Sequence, residues 1–211
     1  MKTKAALILD MSGSMGSIVE AARTNFNEQL QVLKEESQDA DTETNVTVVT
    51  FNQDIKEVDF DVDVNTISEI TEDEYVPGGM TALYDAIGTT IDKFVEHYDL
   101  DDDETGVLFT IITDGMENSS TEYKGEIGRR QLKEKIDKLE KTGKWTFTFM
   151  GTIEALDQAN GIGITNSMVF DATVSGLADA SVAHGISTRS YYDSRKINKE
   201  AAIKDFYNKE K

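Results

Sequence analysis

Residues 5–16, with the sequence AALILDMSGSMG, combine a short apolar run with an aspartate, two serines and two glycines. The run at 5–9 is apolar without strict alternation, which is typical of a β-strand buried on both faces. It ends at Asp10, and Ser12 and Ser14 follow before an apolar stripe with helical spacing begins. In an open α/β sheet, ligands bind beyond the carboxyl ends of the strands. We therefore expect this segment to contribute to a binding site.

Short and long apolar segments alternate along the rest of the chain. Further short runs, rich in β-branched and aromatic residues, lie at 46–51, 107–113, 145–150 and 168–170. Stripes with helical spacing start at Val19, Leu83 and Leu132. Repeated strand, helix and strand segments indicate an α/β fold. We predict a doubly wound, mostly parallel six-stranded sheet with helices on both faces and the strand order 3-2-1-4-5-6.

Residues 55–64 show a different pattern, in which aspartates alternate with apolar residues. Strict alternation predicts a strand with one solvated face, on which Asp59, Asp61 and Asp63 would lie. Residues 52–54 just before it have the composition of a tight turn. The segment is therefore predicted to be an antiparallel edge strand that forms a hairpin with the preceding strand.

The composition excludes several classes of protein. The 211 residues carry a net charge of −19, so anionic nucleic acids and membrane surfaces are poor partners. The chain has no cysteine, which excludes disulfides, thiolate metal sites and cysteine nucleophiles. Its two histidines, His97 and His184, are expected to be surface or packing residues. The apolar run at 5–9 is too short for a signal peptide, and we expect a cytoplasmic protein.

Two other segments place polar residues where a strand or a loop ends. Residues 78–87 carry Thr81 between a glycine pair and a helical stripe, and residues 111–118 form the end of a strand followed by Asp114. In the predicted strand order the first and fourth strands are neighbours at the switch point. Asp10 and Asp114 should then face each other, with Thr81 entering from the loop beside them.

Two carboxylates and three hydroxyls form a set of hard oxygen ligands. Such ligands suit Mg²⁺ or Mn²⁺ and disfavour zinc and copper. A divalent cation with two carboxylates is formally neutral, and the neighbouring helix N-terminus adds partial positive charge. Such a site would accept one more carboxylate from outside as its sixth ligand. The predicted metal ligands are Asp10, Ser12, Ser14, Thr81 and Asp114.

This set resembles the complete metal-ion-dependent adhesion site of the von Willebrand factor type A family. The resemblance extends over roughly residues 4–186, and it is strongest with small stand-alone cytoplasmic members from bacteria and phages. It implies a Rossmann-like fold in which Ser12, Ser14 and Thr81 bind the metal directly. Asp10 and Asp114 would bind it directly or through water. The function implied is metal-dependent binding of a partner protein, without catalysis.

Two other interpretations of these residues stay open. Ser14 could be only a helix cap and residues 114–115 only a turn, because such residues are common in both places. An aspartate after an apolar strand can also accept a phosphoryl group, which would make the protein a Mg²⁺-dependent phosphate-ester hydrolase. The haloacid-dehalogenase pattern, however, has a second acid at the position of Ser12. Residues 12–16 also miss the spacing of a serine-hydrolase elbow.

The chain divides into two parts by composition. Residues 1–186 are predicted to form the single von Willebrand A-type domain, and residues 187–211 a basic C-terminal tail or helix with a net charge of +3. Because the remainder is strongly acidic, it should repel acidic surfaces at long range. The expected partner is a protein that offers a Glu or Asp carboxylate from an otherwise neutral or basic surface.

Overall fold

A six-stranded sheet with the order β3-β2-β1-β4-β5-β6 forms the centre of the protein. The computed structural model describes residues 1–39, 42–98, 104–197 and 206–207. The strands are β1 (Lys2–Asp10), β2 (Glu43–Phe51), β3 (Ile55–Asp63), β4 (Thr105–Thr113), β5 (Trp145–Gly151) and β6 (Asn166–Val169). All neighbouring pairs are parallel except the antiparallel pair β2 and β3. The predicted fold class, strand order and antiparallel edge strand are confirmed.

Helices cover both faces of this sheet. They are α1 (Val19–Glu36), α2 (Leu83–His97), α3 (Gly125–Glu140), α4 (Ile153–Gly161) and α5 (Val174–Ile197). Helices α1 and α5 pack on one face, where Phe26 and Leu30 meet Leu7 and Leu9 of β1. Helices α2, α3 and α4 pack on the other face around the even-numbered side chains of the same strand. Because β1 is buried on both sides, its run is apolar throughout, as the sequence indicated.

The edge strand β3 does not keep the strict alternation expected from its sequence. Its pairing with β2 shifts register on either side of Val48, and Asp61 has a positive φ of 51°. Val58 packs on the α1 side of the sheet, and Val58 and Asp59 both line a surface groove on that side. Phe60 packs on the α2 side, where Asp61 lies 2.8 Å from the Lys4 ammonium. The prediction that the aspartates share one solvated face is therefore wrong, because these irregularities turn them to opposite faces.

The last helix spans the position at which the sequence divided domain from tail. Helix α5 runs through residue 186, where the sequence placed the boundary between domain and tail, and ends at Ile197. Of the remaining tail, only Phe206 and Tyr207 are described, and residues 198–205 and 208–211 lie outside the described part of the chain. Phe206 is buried beside His184, consistent with the expectation that this histidine is a packing residue.

None of the described helices combines the length and apolar character that are needed to cross a membrane.

His184 gives the fold a measurable dependence on pH. The residue is buried, and its ring nitrogens lie 3.4 Å from the Thr110 hydroxyl and 2.7 Å from the Tyr207 hydroxyl. Burial lowers its pKa from 6.5 to about 3, so the folded protein keeps the ring neutral. The unfolded chain protonates the ring below pH 6.5, and the contribution to stability is therefore lost as the pH falls.

We expect the wild-type protein to lose about 1.4 kcal/mol more unfolding free energy than His184→Gln between pH ~7.5 and pH ~5.5. Glutamine retains hydrogen-bonding groups at this position but cannot titrate. Urea denaturation of both proteins at the two pH values measures the difference. Equal losses in the two proteins would show that His184 does not link proton uptake to folding.

Candidate metal centre

The five predicted ligands lie at the carboxyl edge of the sheet, where β1 and β4 are adjacent. Asp10 is the last residue of β1, and Asp114 follows directly after β4. The parallel register that pairs Leu9 with Ile112 brings the ends of the two strands side by side. Ser12 and Ser14 lie at the start of the 3₁₀ helix that follows β1, and Thr81 lies two residues before α2.

The side chains of these residues meet in one small region. The hydroxyl oxygens of Ser12 and Ser14 are 3.2 Å apart, and the Ser14 hydroxyl donates a hydrogen bond of 2.6 Å to Asp114 Oδ1. A methyl group built on Gly115 would lie 3.2 Å from Thr81 Oγ1, 3.3 Å from Ser14 Oγ and 3.4 Å from Asp10 Oδ2. Three oxygens from three separate segments therefore lie within 3.4 Å of one point, and a side chain at residue 115 would crowd them.

The Asp10 carboxylate is buried and is fixed by groups from its own loop and from β4. Oδ1 accepts a hydrogen bond of 2.6 Å from the Ser12 amide, and Oδ2 accepts one of 2.5 Å from the Thr113 hydroxyl. The Asp10 carbonyl accepts a third, of 2.7 Å, from the Tyr75 hydroxyl. These contacts hold one carboxylate orientation, which preorganises the residue.

Burial makes the negative charge at this site unfavourable. It raises the pKa of Asp10 to about 6, although hydrogen bonds from Thr113 and Ser12 oppose the shift. Burial also raises the pKa of Asp114, against the opposing hydrogen bond from Ser14. Among the described ion pairs, none joins a lysine, arginine or histidine to either carboxylate. The pair therefore lacks a described counter-charge, which a bound cation would supply.

The donor chemistry fits a hard divalent cation. In the described part of the chain, no three His, Cys, Asp or Glu side chains are grouped as a metal site. Any ion held here would therefore depend on the hydroxyls of Ser12, Ser14 and Thr81 together with the two aspartates. Carboxylate and other oxygen ligands suit Mg²⁺ and Mn²⁺.

Sequence reasoning missed the residues that hold Thr81 in place. Asn118 Oδ1 accepts a hydrogen bond of 2.8 Å from the Thr81 amide, and the Asn118 amide donates one of 3.0 Å to the Thr81 carbonyl. The sequence carried one usable signal. Helix α2 starts after Ala82, which has no side-chain oxygen to cap it, so its amides needed acceptors from elsewhere.

Comparisons with solved structures relate this geometry to known proteins. A von Willebrand factor type A protein from Catenulispora acidiphila is similar with a TM-score of 0.60 and 15% identity, over 89% of this chain and 42% of that one. The manganese-loaded TRAP protein of Plasmodium vivax has a TM-score of 0.60 and 18% identity, over 98% of this chain and 73% of that one.

Proximal thread matrix protein 1 from the mussel byssus has a TM-score of 0.52 and 13% identity, over 85% of this chain and 44% of that one. Its structure has a zinc-occupied metal-ion-dependent adhesion site (MIDAS) motif. The PilB minor pilin of Streptococcus sanguinis is matched over 62% of its length. Our chain thus spans less than two thirds of several of these proteins.

No protein-family model and no curated protein matches the sequence. The relationship therefore rests on three-dimensional similarity, at identities that establish a fold and nothing finer. The sheet order, the helices on both faces and these structural neighbours agree: the chain adopts the von Willebrand factor type A fold.

Proposed function

We propose that this chain is a divalent-metal-dependent protein-binding module without catalytic activity. Asp10, Ser12, Ser14, Thr81 and Asp114 would hold Mg²⁺ or Mn²⁺, and the metal would recruit an acidic side chain of a partner protein. The observation that carries the proposal is the convergence of Thr81 Oγ1, Ser14 Oγ and Asp10 Oδ2 around the point beside Gly115. The two carboxylates with no described basic partner add a need for positive charge.

The structural neighbours support the metal part of this proposal. One of them is manganese-loaded, and another has a zinc-occupied MIDAS motif. These metals belong to those proteins, and they indicate that the fold can hold a divalent ion. Mg²⁺ or Mn²⁺ is proposed for this chain because all of its converging side-chain atoms are oxygens.

Charge balance supports recruitment of an outside carboxylate. Asp10 and Asp114 together neutralise a divalent cation, and the three hydroxyls are neutral donors. An ion coordinated in this way can attract one further carboxylate. Octahedral Mg²⁺ usually keeps water ligands, and the carboxylate would replace one of them.

Exposed apolar side chains beside the site favour a protein partner. Met80 and Met116 are each 55% exposed. Met80 directly precedes Thr81, and Met116 lies two residues after Asp114. Methionine adapts to irregular partner surfaces. With a net charge of −19, the chain is expected to favour a carboxylate on an otherwise neutral or basic surface. The proposed location is the cytoplasm, consistent with the absence of cysteine.

The alternative function, phosphate-ester hydrolysis, has less support. The described hydrogen bonds of Asp10 and Asp114 come from hydroxyls and backbone amides, with no lysine, arginine or histidine among them. Such a cation or acid would be needed near the leaving group. Turnover of a generic phosphate ester that is abolished in Asp10→Asn would favour the hydrolase instead.

Removing one hydroxyl ligand should weaken metal binding. We expect Thr81→Ala to raise the Mn²⁺ dissociation constant about tenfold or more, because one oxygen of the set is lost. Titration calorimetry with Mn²⁺ measures the constant. Thr89→Ala is the matched control, since the described hydrogen bond of the Thr89 hydroxyl goes to the backbone carbonyl of Asp85 within α2. Equal constants for wild type and Thr81→Ala would remove Thr81 from the ligand set.

Carboxylate recruitment predicts a measurable exchange at the metal. In the Mn²⁺-loaded protein, acetate should displace metal-bound water and lower the enhancement of water-proton relaxation in a saturable way. Acetamide, a neutral molecule of the same shape, is the control and should have little effect. If the two titrations coincide, the metal does not recruit carboxylates, whether or not it binds.

A further inference from the structure

The N-terminus of α2 obtains its caps from a distant segment of the chain. Ala82 precedes the helix and offers no side-chain acceptor. The Tyr84 amide donates 2.9 Å to Glu117 Oε2, and the Asp85 amide donates 2.9 Å to Ser120 Oγ. These acceptors come from the loop that follows Asp114. Formation of the first turn of α2 is therefore coupled to the structure of that loop.

The Glu117 carboxylate also organises its own loop. Oε1 accepts hydrogen bonds of 3.0 Å and 2.8 Å from the amides of Ser119 and Ser120. Oε2 accepts one of 2.7 Å from the Ser120 hydroxyl, in addition to the Tyr84 amide. Four donors thus converge on one side chain. Bonds to an ionised acceptor are shorter and stronger than neutral ones, so Glu117 fastens the loop and the helix to each other.

Asp85 supplies the reciprocal contact from the helix. Its buried carboxylate accepts hydrogen bonds from three successive amides, of which the shortest are 2.6 Å from Thr121 and 2.7 Å from Tyr123. The loop therefore binds the helix through one carboxylate on each side. Neither carboxylate needs a metal, because backbone amides and hydroxyls already occupy its oxygens.

Tyr123 completes the contact one turn farther along α2. A Cβ on Gly88 would lie 2.2 Å from the Tyr123 ring, so the absence of a side chain at residue 88 lets the ring lie against the helix. The Tyr123 hydroxyl donates to Asp92 and accepts from Lys135. Residues 117–123 thus follow one side of α2 from its start to Asp92.

From this arrangement we infer that Glu117, Asn118 and Asp85 are positioning residues of the metal site. Asp114 lies three residues before Glu117, and Thr81 lies two residues before the start of α2. The contacts between segment and helix therefore fix the Thr81 hydroxyl relative to Asp114 and Ser14. The affinity for a cation therefore depends on these contacts, although the side chains that make them bind backbone amides and not the cation. This inference rests on the proposed function, because it concerns the same metal site.

The decisive test compares Mn²⁺ affinity with stability in matched variants. Asn118→Ala removes the acceptor of the Thr81 amide, and Glu117→Gln removes the charge that holds four donors. Asp63→Ala is the control. Asp63 is the last residue of β3, and its side chain caps the short 3₁₀ helix that follows by accepting a hydrogen bond from the Asn65 amide. Free Mn²⁺ is measured by electron paramagnetic resonance, and the melting temperature is measured in chelator.

We expect Asn118→Ala and Glu117→Gln to raise the Mn²⁺ dissociation constant about tenfold or more, as losses of groups that orient ligands do. Asp63→Ala should lower the melting temperature and leave the constant unchanged. Asn118→Asp retains the acceptor for the Thr81 amide and should bind Mn²⁺ at least as tightly as wild type.

The outcomes separate the inference from the proposed function. If the wild-type protein does not bind Mn²⁺, the proposed function fails and the inference fails with it. If the wild-type protein binds Mn²⁺ and Asn118→Ala binds it equally well, only the inference is overturned. Should Glu117→Gln fail to fold, Asn118→Ala still decides, because the Asn118 side chain is exposed.

Discussion

The parallel pairing of β1 with β4 is the contact on which the candidate site depends. It joins the first strand to one that begins about a hundred residues later in the chain, and it sets the ends of both at one edge of the sheet. Since β1 also pairs with β2, the chain order of the strands runs outward from β1 on both sides, and such a switch point leaves an opening between the loops that follow the strands. Asp10 and Asp114 lie at that opening because Asp10 is the last residue of β1 and Asp114 follows β4 directly.

Hydrogen bonds between loops then convert this adjacency into a defined geometry. Ser14 joins the loop after β1 to Asp114, and Thr113 joins β4 to Asp10. Asn118 joins the loop after β4 to Thr81. Each contact connects two segments that the sheet brings close but does not itself fix. The sheet therefore sets the location of the site, and the polar contacts set its geometry.

The sequence predicted those parts of the protein whose structure follows from local pattern. Apolar runs located the strands, polar residues at strand ends located Asp10 and Asp114, and the glycine pair before a helical stripe located Thr81. Pattern failed for α5, whose buried face includes Ser181, His184 and Thr188, so no apolar stripe marks it. It also failed for the irregular pairing of β3, which depends on tertiary contacts such as the one between Lys4 and Asp61.

The contacts of Glu117 and Asp85 could not be predicted from the sequence, for a related reason. Each carboxylate binds backbone amides about 35 residues away, and a backbone amide carries no sequence signal. An acidic residue near a predicted metal site would be assigned to the metal on composition alone. In the structure these acids have two different roles, because Asp10 and Asp114 border the converging hydroxyls, whereas Glu117 and Asp85 bind amides. This division has an electrostatic consequence, since a cation held by four carboxylates would repel an incoming one, whereas one held by two carboxylates and neutral hydroxyls would not. Because Glu117 and Asp85 bind amides, a cation in the proposed site would be held by only two carboxylates, and a ligand position would stay open to a third.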